Sequence, residues 1–271
     1  MESPVHMEKI CTDLKAQYQE LDDAVSDLNK EKWYLQTPFY HWTIFDQVAH
    51  IAFFDREALL AIESPGRFKQ SAHQVMQILL SDGDWPPKTN PLLGAEHPEG
   101  LISLWRKTRS DLLDRLRRMN AKDRIIWYGP DMSARSFATA RLMETWAHTQ
   151  DICDTLRLIR KNTDRLRHVA HIGVTTFSWS FKIRKLSPPP IKPRVELTGP
   201  SGELWVWGES DASEKVRGGA EEFCLVVTQR RNLADTRLQC EGDHVKQWLA
   251  LAQAFAGIPQ DPPAPGERVS C

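Results

Sequence analysis

The chain has 271 residues, and 41% of them are hydrophobic, a share typical of a globular protein. Its 35 basic and 36 acidic side chains leave a formal net charge of -1, so it lacks the positive excess with which nucleic-acid-binding proteins neutralise phosphate. The longest stretches without a charged side chain, 168–181 and 247–260, are too short to span a bilayer. Composition therefore excludes a disordered chain, a membrane-spanning helix and a basic nucleic-acid-binding module.

The cysteines and the first residues indicate a reducing compartment. Five cysteines are scattered along the chain without a C-x-x-C pair, which favours neither a disulfide framework nor a cysteine-bound zinc ion. The first ten residues lack the apolar run of a signal peptide. We therefore expect a cytoplasmic monomer or homodimer whose partner is a small-molecule substrate.

Helical periodicity dominates the first 160 residues. Apolar side chains recur at steps of three and four, and they predict four long helices over residues 7–29, 43–62, 101–119 and 136–158. The second helix opens with Thr43 and Asp46, a capping box with Asp in place of the usual Glu or Gln. A shorter helix is expected near 70–80, within a segment rich in Pro and Gly. Four long helices joined by turns are typical of a helix bundle.

The pattern changes after a predicted helix over 165–183. The proline run SPPPIKP that follows suits neither a helix nor a central strand, so we place a domain boundary there. The prediction is mainly α: a helix bundle with its connecting helix over 1–186, a small α+β domain over 187–258, and a flexible Pro-rich tail over 259–271. Within the second domain the sequence predicts two strands joined by a turn at 199–202, a helix over 211–227, a short strand over 236–240 and a helix over 244–256.

The segment ETWAHTQDI contains the sharpest local signal for chemistry. Glu144 and His148 are four residues apart in a predicted helix, so both project from one face and can bind the same metal ion. Asp151 lies three residues further on that face, where it could accept a hydrogen bond from the imidazole. Glu and His at this spacing are also common on solvated helix faces, and that alternative stays open from the segment alone.

His50 strengthens the metal hypothesis. It lies in DQVAHIAFF, where apolar neighbours indicate that it faces the bundle interior. A single inward-facing His is more often a core residue. Together with Glu144 and His148, however, it would complete a two-His, one-carboxylate site that leaves a position for water or substrate. We expect Zn²⁺ there, although another divalent transition metal suits the same ligands.

Two segments together resemble a known family. TPFYHWTIFDQVAHIAFFD and MSARSFATARLMETWAHTQDI resemble the DinB-like superfamily, specifically the branch that contains mycothiol-dependent maleylpyruvate isomerase. FCLVVTQRRNLADTRLQCEG and WLALAQAFAGIP look like the C-terminal domain of a metal-binding subgroup of that branch. The resemblance covers 7–258 and implies a DinB-like four-helix bundle whose metal ligands are His50, Glu144 and His148. Many DinB relatives have a third His where this chain has Glu144, whereas the isomerase branch has Glu.

The resemblance also extends to the second domain. Arg230 and Arg231 match a position where the isomerase has an Arg facing the metal pocket, which could clamp a carboxylate. A basic helix C-terminus that complements the helix dipole explains them as well. We assign Asp151 and Arg230 as candidate catalytic residues, and Arg231 and His171 as candidate pocket residues, although a surface or capping role for His171 is the stronger alternative.

Tryptophan is unusually frequent, with 10 residues against 4 Tyr. Trp42 and Trp146 lie beside the predicted ligands in sequence, and we predict that they line a substrate pocket, although core packing explains them too. An aromatic wall favours a flat, apolar or heterocyclic substrate. The leading hypothesis is thus a zinc-dependent isomerase or lyase acting without redox change. The alternatives are an enzyme that uses a low-molecular-weight thiol, as maleylpyruvate isomerase does, and a non-enzymatic metal- or ligand-binding protein.

Overall fold

The computed structural model describes residues 5–80 and 90–268 and divides into two compact units, Met1–Leu158 and Ile159–Cys271. The first unit is the helix bundle. Its elements are α1 (Val5–Val25), α2 (Lys30–Trp33), α3 (Ile44–Glu63), α4 (Pro65–Leu80), α5 (Asn90–Leu93), α6 (Pro98–Arg117), β1 (Arg124–Ile125), β2 (Met132–Ser133) and α7 (Ala134–Leu156). The long helices α1, α3, α6 and α7 pack on one another, and this confirms the predicted four-helix bundle. No helix in these described ranges is long and apolar enough to cross a membrane.

The bundle helices begin where their capping residues lie. Thr43 caps α3, and the predicted capping box is present, because the Asp46 amide donates to Thr43 Oγ1 at 3.2 Å and the Thr43 amide donates to Asp46 Oδ2 at 2.9 Å. Ser133 caps α7 through its side chain, which accepts from the Ser136 amide at 3.1 Å. The antiparallel pair β1–β2, which the sequence analysis missed, leads directly into that cap. These caps fix where α3 and α7 start, and hence which of their residues face each other.

A buried polar network joins the four long helices. Asp55 on α3 accepts hydrogen bonds from Tyr18 Oη on α1 at 2.7 Å, from Trp105 Nε1 on α6 at 3.1 Å and from Arg141 Nε on α7 at 2.9 Å. Arg141 also donates to the carbonyl of Ile51 at 3.3 Å. All four side chains in the network are at most 4% exposed. A buried charge is tolerated only when it is paired and hydrogen-bonded, so this network specifies how the helices meet.

The second unit combines short helices with a four-stranded sheet. Its elements are α8 (Leu166–Thr175), α9 (Phe177–Lys182), β3 (Arg194–Thr198), β4 (Leu204–Trp207), β5 (Lys215–Gly219), α10 (Ala220–Val227), a 3-10 turn (Leu233–Asp235), β6 (Gln239–Glu241) and α11 (Asp243–Leu251). The strand order is β4-β3-β5-β6, with β3 antiparallel to β4, parallel to β5, and β5 antiparallel to β6. This is the small α+β part that the sequence predicted.

The helix predicted over 211–227 is wrong in its first half. Residues 215–219 form β5, which pairs in parallel with β3, and α10 begins only at Ala220. Gly218 has φ +155°, and a Cβ there would lie 2.7 Å from Leu238 Cδ2. Gly218 therefore allows a close approach between the strand and the loop at Leu238.

Three further boundaries differ from the prediction. The helix predicted over 165–183 is interrupted at Thr176, which separates α8 from α9, and the last helix ends at Leu251 rather than at 256. The units divide at Leu158, before the proline run rather than at it, because α8 packs on α10: a Cβ on Gly173 would lie 2.7 Å from Val227 Cγ2. The helix regarded as a connector thus belongs to the second unit.

The tail predicted to be flexible makes specific contacts within the second unit. Gln229 Nε2 donates to the carbonyl of Gln260 at 2.7 Å, and the amide of Gly266 donates to Asp235 Oδ2 at 2.9 Å. Arg268 is 7% exposed. The tail is therefore held to the second unit at residues 260, 266 and 268, although most of its side chains are exposed, and residues 269–271 lie outside the described part of the chain.

Candidate metal centre

His50, Glu144 and His148 come together between α3 and α7. One ligand atom from each lies within 4.8 Å of the other two. Glu144 Oε2 is 3.5 Å from His148 Nε2 and 4.0 Å from His50 Nε2. His50 and His148 are 9% and 3% exposed, whereas the Glu144 side chain is 22% exposed. The three predicted ligands thus form one cluster that reaches the surface at the carboxylate.

The distances suit a tetrahedral zinc ion. Zn–N and Zn–O bonds of about 2.0–2.2 Å in a tetrahedron place neighbouring ligand atoms about 3.3–3.6 Å apart. The contact between Glu144 and His148 falls in that range, and the contact between Glu144 and His50 exceeds it by a few tenths of an ångström. Two imidazoles and one carboxylate are ligands that zinc accepts, and three protein ligands leave a fourth position for water or substrate. The donor set therefore fits a metal centre of the catalytic type.

Gln47, which the sequence analysis missed, lies against one of the two histidines. Its Oε1 contacts His148 Nδ1 in a short hydrogen bond. An amide oxygen only accepts, so this contact is a hydrogen bond when Nδ1 carries the proton. Gln47 is fully buried. The available signal was a polar residue three positions before His50, directly before the largely apolar run VAHIAFF.

Aromatic rings cover the two histidines. The Trp42 ring stacks on His148 with an interplanar angle of 3° and a centroid distance of 5.8 Å, and its centroid is 5.3 Å from that of His50. Phe39 meets His148 edge to face at 5.6 Å, and Phe54 lies 4.8 Å from His50 on the other side. Trp42 thus lies against both histidines, and its assignment to a substrate pocket stays a prediction; Phe39 and Phe54 were not predicted.

The backbone of the loop that carries two of these rings is strained. Tyr40 and His41 both have positive φ, at +51° and +58°, a left-handed conformation that costs a residue with a side chain about 1 kcal/mol. The amide of Thr37 donates to the carbonyl of Trp42 at 2.7 Å and closes the loop. The turn thereby directs Phe39 and Trp42 inward, with 7% and 5% exposure, and leaves Tyr40 outside.

A buried guanidinium lies one helical turn from the carboxylate ligand. Arg141 is three residues before Glu144 on α7, within the network around Asp55. Burial by itself would lower the pKa of Arg141, but the Asp55 carboxylate beside it, with a smaller contribution from Glu144, raises that pKa above its ordinary value. Arg141 is therefore charged, and it places a fixed positive charge near the carboxylate of the cluster.

Asp151 and Trp146, two further predicted site residues, lie on the same helix. Asp151 is 1% exposed, and its Oδ2 is 3.7 Å from His148 Nδ1, longer than a hydrogen bond. Trp146 is 2% exposed. Because it is two residues from both Glu144 and His148, helical geometry turns it toward a different face from theirs. Its assignment to a substrate pocket stays a prediction, as does a catalytic role for Asp151.

Comparisons with known proteins place the chain in a family. The family model of the mycothiol maleylpyruvate isomerase N-terminal domain matches residues 14–153, a range that contains all three candidate ligands. The chain belongs to this family. The finding confirms the resemblance to the DinB-like, mycothiol isomerase branch that the sequence indicated.

Relatives of this protein in the mycothiol maleylpyruvate isomerase family match most of the chain. Uncharacterized proteins of Mycobacterium tuberculosis strains CDC 1551 and H37Rv are each 42% identical to it over 247 residues, covering 91% of this chain and 95% of theirs. Crystal structures of the mycothiol-dependent maleylpyruvate isomerase and of its histidine-to-alanine mutant match with a TM-score of 0.51 at 14% identity, covering 83% of this chain and 91% of theirs. The structural likeness shows a shared fold.

The remaining predicted site residues of this family member belong to the second unit. Arg230 and Arg231 follow α10 and are 2% and 4% exposed. Arg230 Nη1 donates to the carbonyl of Thr228, and Arg231 Nη1 donates to that of Arg230, each at 2.7 Å. His171 is exposed and accepts from Trp207 Nε1 at 3.3 Å. Their participation in a site of the first unit remains a prediction.

Proposed function

We propose that this protein is a metal-dependent enzyme that uses a low-molecular-weight thiol to isomerise a small molecule or to transfer the thiol to it. The observation that carries the proposal is the cluster of His50, Glu144 and His148, in an open arrangement, in a member of the mycothiol maleylpyruvate isomerase family. These three residues would hold the ion. A bound zinc ion supplies Lewis acidity, which lowers the pKa of a thiol or polarises a carbonyl oxygen.

The protein's own side chains would prepare this chemistry. Gln47 keeps the lone pair of His148 Nε2 directed at the cluster. The buried carboxylate of Asp151, 3.7 Å from the same imidazole, adds negative charge that favours cation binding. Trp42 and Phe39 would exclude water from one side of the histidines and so strengthen electrostatic interactions there.

A second candidate is a thiol-independent isomerase or lyase. The rings of Trp42 and Phe39 against His148 favour it, since aromatic walls suit a flat aromatic or heterocyclic substrate. Titration of the purified zinc-loaded protein with mycothiol, bacillithiol and glutathione in a calorimeter separates the two candidates. Saturable binding of one thiol supports the first, and no binding of any of the three favours the second.

The metal site itself is tested by elemental analysis. His148→Ala should lose most of the bound metal and keep its helical circular dichroism, because it removes one of three ligands and no core aliphatic. His97→Ala is the matched control: His97 is an exposed histidine of the same unit whose side chain makes no capping hydrogen bond. Equal metal content in His148→Ala and wild type would refute the site. A stripped protein that unfolds, with no turnover in the loaded form, would favour a structural metal instead.

A further inference from the structure

The link between Gln47 and His148 continues into the loop that carries the aromatic rings. Gln47 Nε2 donates to Thr37 Oγ1 at 2.7 Å, and Thr37 Oγ1 contacts the carbonyl of Phe39 at 3.4 Å. Thr37, Gln47 and His148 are 2%, 0% and 3% exposed. The chain of hydrogen bonds therefore runs through the protein interior, out of competition with water.

The direction of each hydrogen bond is fixed by its neighbour. The Thr37 hydroxyl has one proton, and the carbonyl of Phe39 can only accept it, so Thr37 Oγ1 is free to accept from the amide of Gln47. That interaction places the Gln47 NH₂ group toward Thr37 and its Oε1 toward His148. His148 must then donate from Nδ1, which leaves Nε2 as the only metal-binding nitrogen of the ring.

Asp151 does not replace Gln47 in this role. Its Oδ2 is 3.7 Å from His148 Nδ1, beyond hydrogen-bond distance. A carboxylate as acceptor would draw the proton from the imidazole and add a full charge to the ligand, whereas an amide fixes the same tautomer without charge. The neutral acceptor is the one that the geometry selects.

We propose that Gln47 is a positioning residue that locks His148 in the Nδ1–H tautomer and, through Thr37, holds its ring in place relative to the aromatic loop 37–42. The proposal rests on the metal centre described under the proposed function, because the locked tautomer matters most when Nε2 binds an ion. The hydrogen-bond chain itself involves only protein atoms, and this makes the two ideas separable.

Zinc affinity tests the role at the metal. Competition with a chromophoric chelator should show zinc binding about 10- to 100-fold weaker in Gln47→Leu than in wild type, the usual effect of losing a ligand's hydrogen-bond partner. Gln47→Glu keeps an oxygen acceptor at the same reach and should retain most of the affinity. Thr37→Val should weaken binding less than Gln47→Leu does. Gln17→Leu is the control, since Gln17 is also a buried amide of the bundle (1% exposed), and its affinity should equal that of wild type.

Imidazole nitrogen shifts test the tautomer without any metal. The experiment is a long-range ¹H–¹⁵N spectrum of metal-free protein, in which the His148 signal is assigned by its loss in His148→Ala. Wild type and Gln17→Leu should show the Nδ1–H form. Gln47→Leu should show a mixture or the Nε2–H form. Wild-type affinity together with an unchanged tautomer in Gln47→Leu would overturn the proposal, and wild-type affinity in Thr37→Val would overturn the link to the loop. If wild type binds no zinc, the metal centre fails, and the spectrum alone decides the role of Gln47.

Discussion

The Asp55 network offers a sharp test of what holds the bundle together. Asp55 accepts three buried hydrogen bonds, one from each of the other long helices. In Asp55→Leu the Arg141 guanidinium stays buried without its counter-charge. Removal of one partner of a buried ion pair costs about 3–5 kcal/mol. Since a typical domain has a free energy of unfolding of about 5–15 kcal/mol, this loss is a large share of the stability of the first unit.

A double-mutant cycle distinguishes the ion pair from the volume change. Arg141→Leu leaves the carboxylate of Asp55 unpaired and should cost a similar amount. The double variant Asp55→Leu/Arg141→Leu replaces both charges by apolar groups, which is often neutral or stabilising relative to the pair. It should therefore be more stable than either single variant, and its coupling energy measures the interaction.

Urea unfolding followed by circular dichroism of the full chain provides the measurement, with a chelator present so that metal binding adds no stability. Glu63→Ala is the control, because the pair of Glu63 and Arg115 also joins α3 to α6 at 2.6 Å but is 41% and 47% exposed. An exposed pair contributes about 0–1 kcal/mol. If Asp55→Leu costs no more than Glu63→Ala, or if the double variant is no more stable than the single ones, the network does not hold the helices as argued.

Two further predictions concern packing and pH. Gly173→Ala should destabilise the second unit by about 1–3 kcal/mol through overpacking against Val227. Gly100→Ala is the control: no atom lies within 4 Å of the added Cβ, so it should be neutral or stabilise the helix by up to about 1 kcal/mol. Equal urea midpoints for the two variants would contradict this. Burial raises the pKa of Cys11 to about 11. The rate at which iodoacetamide alkylates this thiol, followed by mass spectrometry, should therefore rise about tenfold per pH unit from pH 8 to 10. A rate that levels off by pH 9 would contradict this. Because the folded pKa exceeds that of an unfolded thiol, about 8.5, the stability tied to this proton is complete below pH 8.5 and is lost as pH rises toward 11.

The cluster of His50, Glu144 and His148 could be predicted because local rules place its members. Residues four apart on a helix lie on the same face, so the prediction of α7 already made Glu144 and His148 neighbours. His50 followed from its apolar surroundings, which indicated an inward-facing position. Nothing in these rules gives the distance between α3 and α7, and only the structure shows that the ligand atoms of the two helices meet.

The partner of His148 could not be predicted, because no local spacing rule relates residues on different helices. Whether Gln47 or Asp151 accepts a hydrogen bond from His148 Nδ1 depends on the positions of their side chains, which bring Gln47 Oε1 into contact and leave Asp151 Oδ2 at 3.7 Å. Both are polar, both are on ligand-bearing helices, and the spacing of Asp151 from His148 on one helix made it the more visible candidate. A partner on another helix, by contrast, has no spacing rule.

The same limit explains the missed strand. β5 pairs in parallel with β3, and a parallel partner is distant in sequence because it requires a crossover connection. The Lys-Val-Arg-Gly-Gly run has too few apolar residues to show alternation by itself. Its strand character comes from Val216, which is fully buried opposite Val195 in the sheet, a tertiary effect that local propensity cannot supply.

The candidate metal centre and the Asp55 network share the same two helices. Asp55 is five residues after His50 on α3, and Arg141 is three residues before Glu144 on α7, which corresponds to about 7.5 Å and 4.5 Å along the helix axes. The buried ion pair therefore joins α3 to α7 within about one and a half turns of the ligands. A metal ion need not draw these helices together, because a charge pair that excludes water already does so. The ion pair of Asp55 and Arg141 therefore fixes the spacing of α3 and α7 beside the cluster of His50, Glu144 and His148.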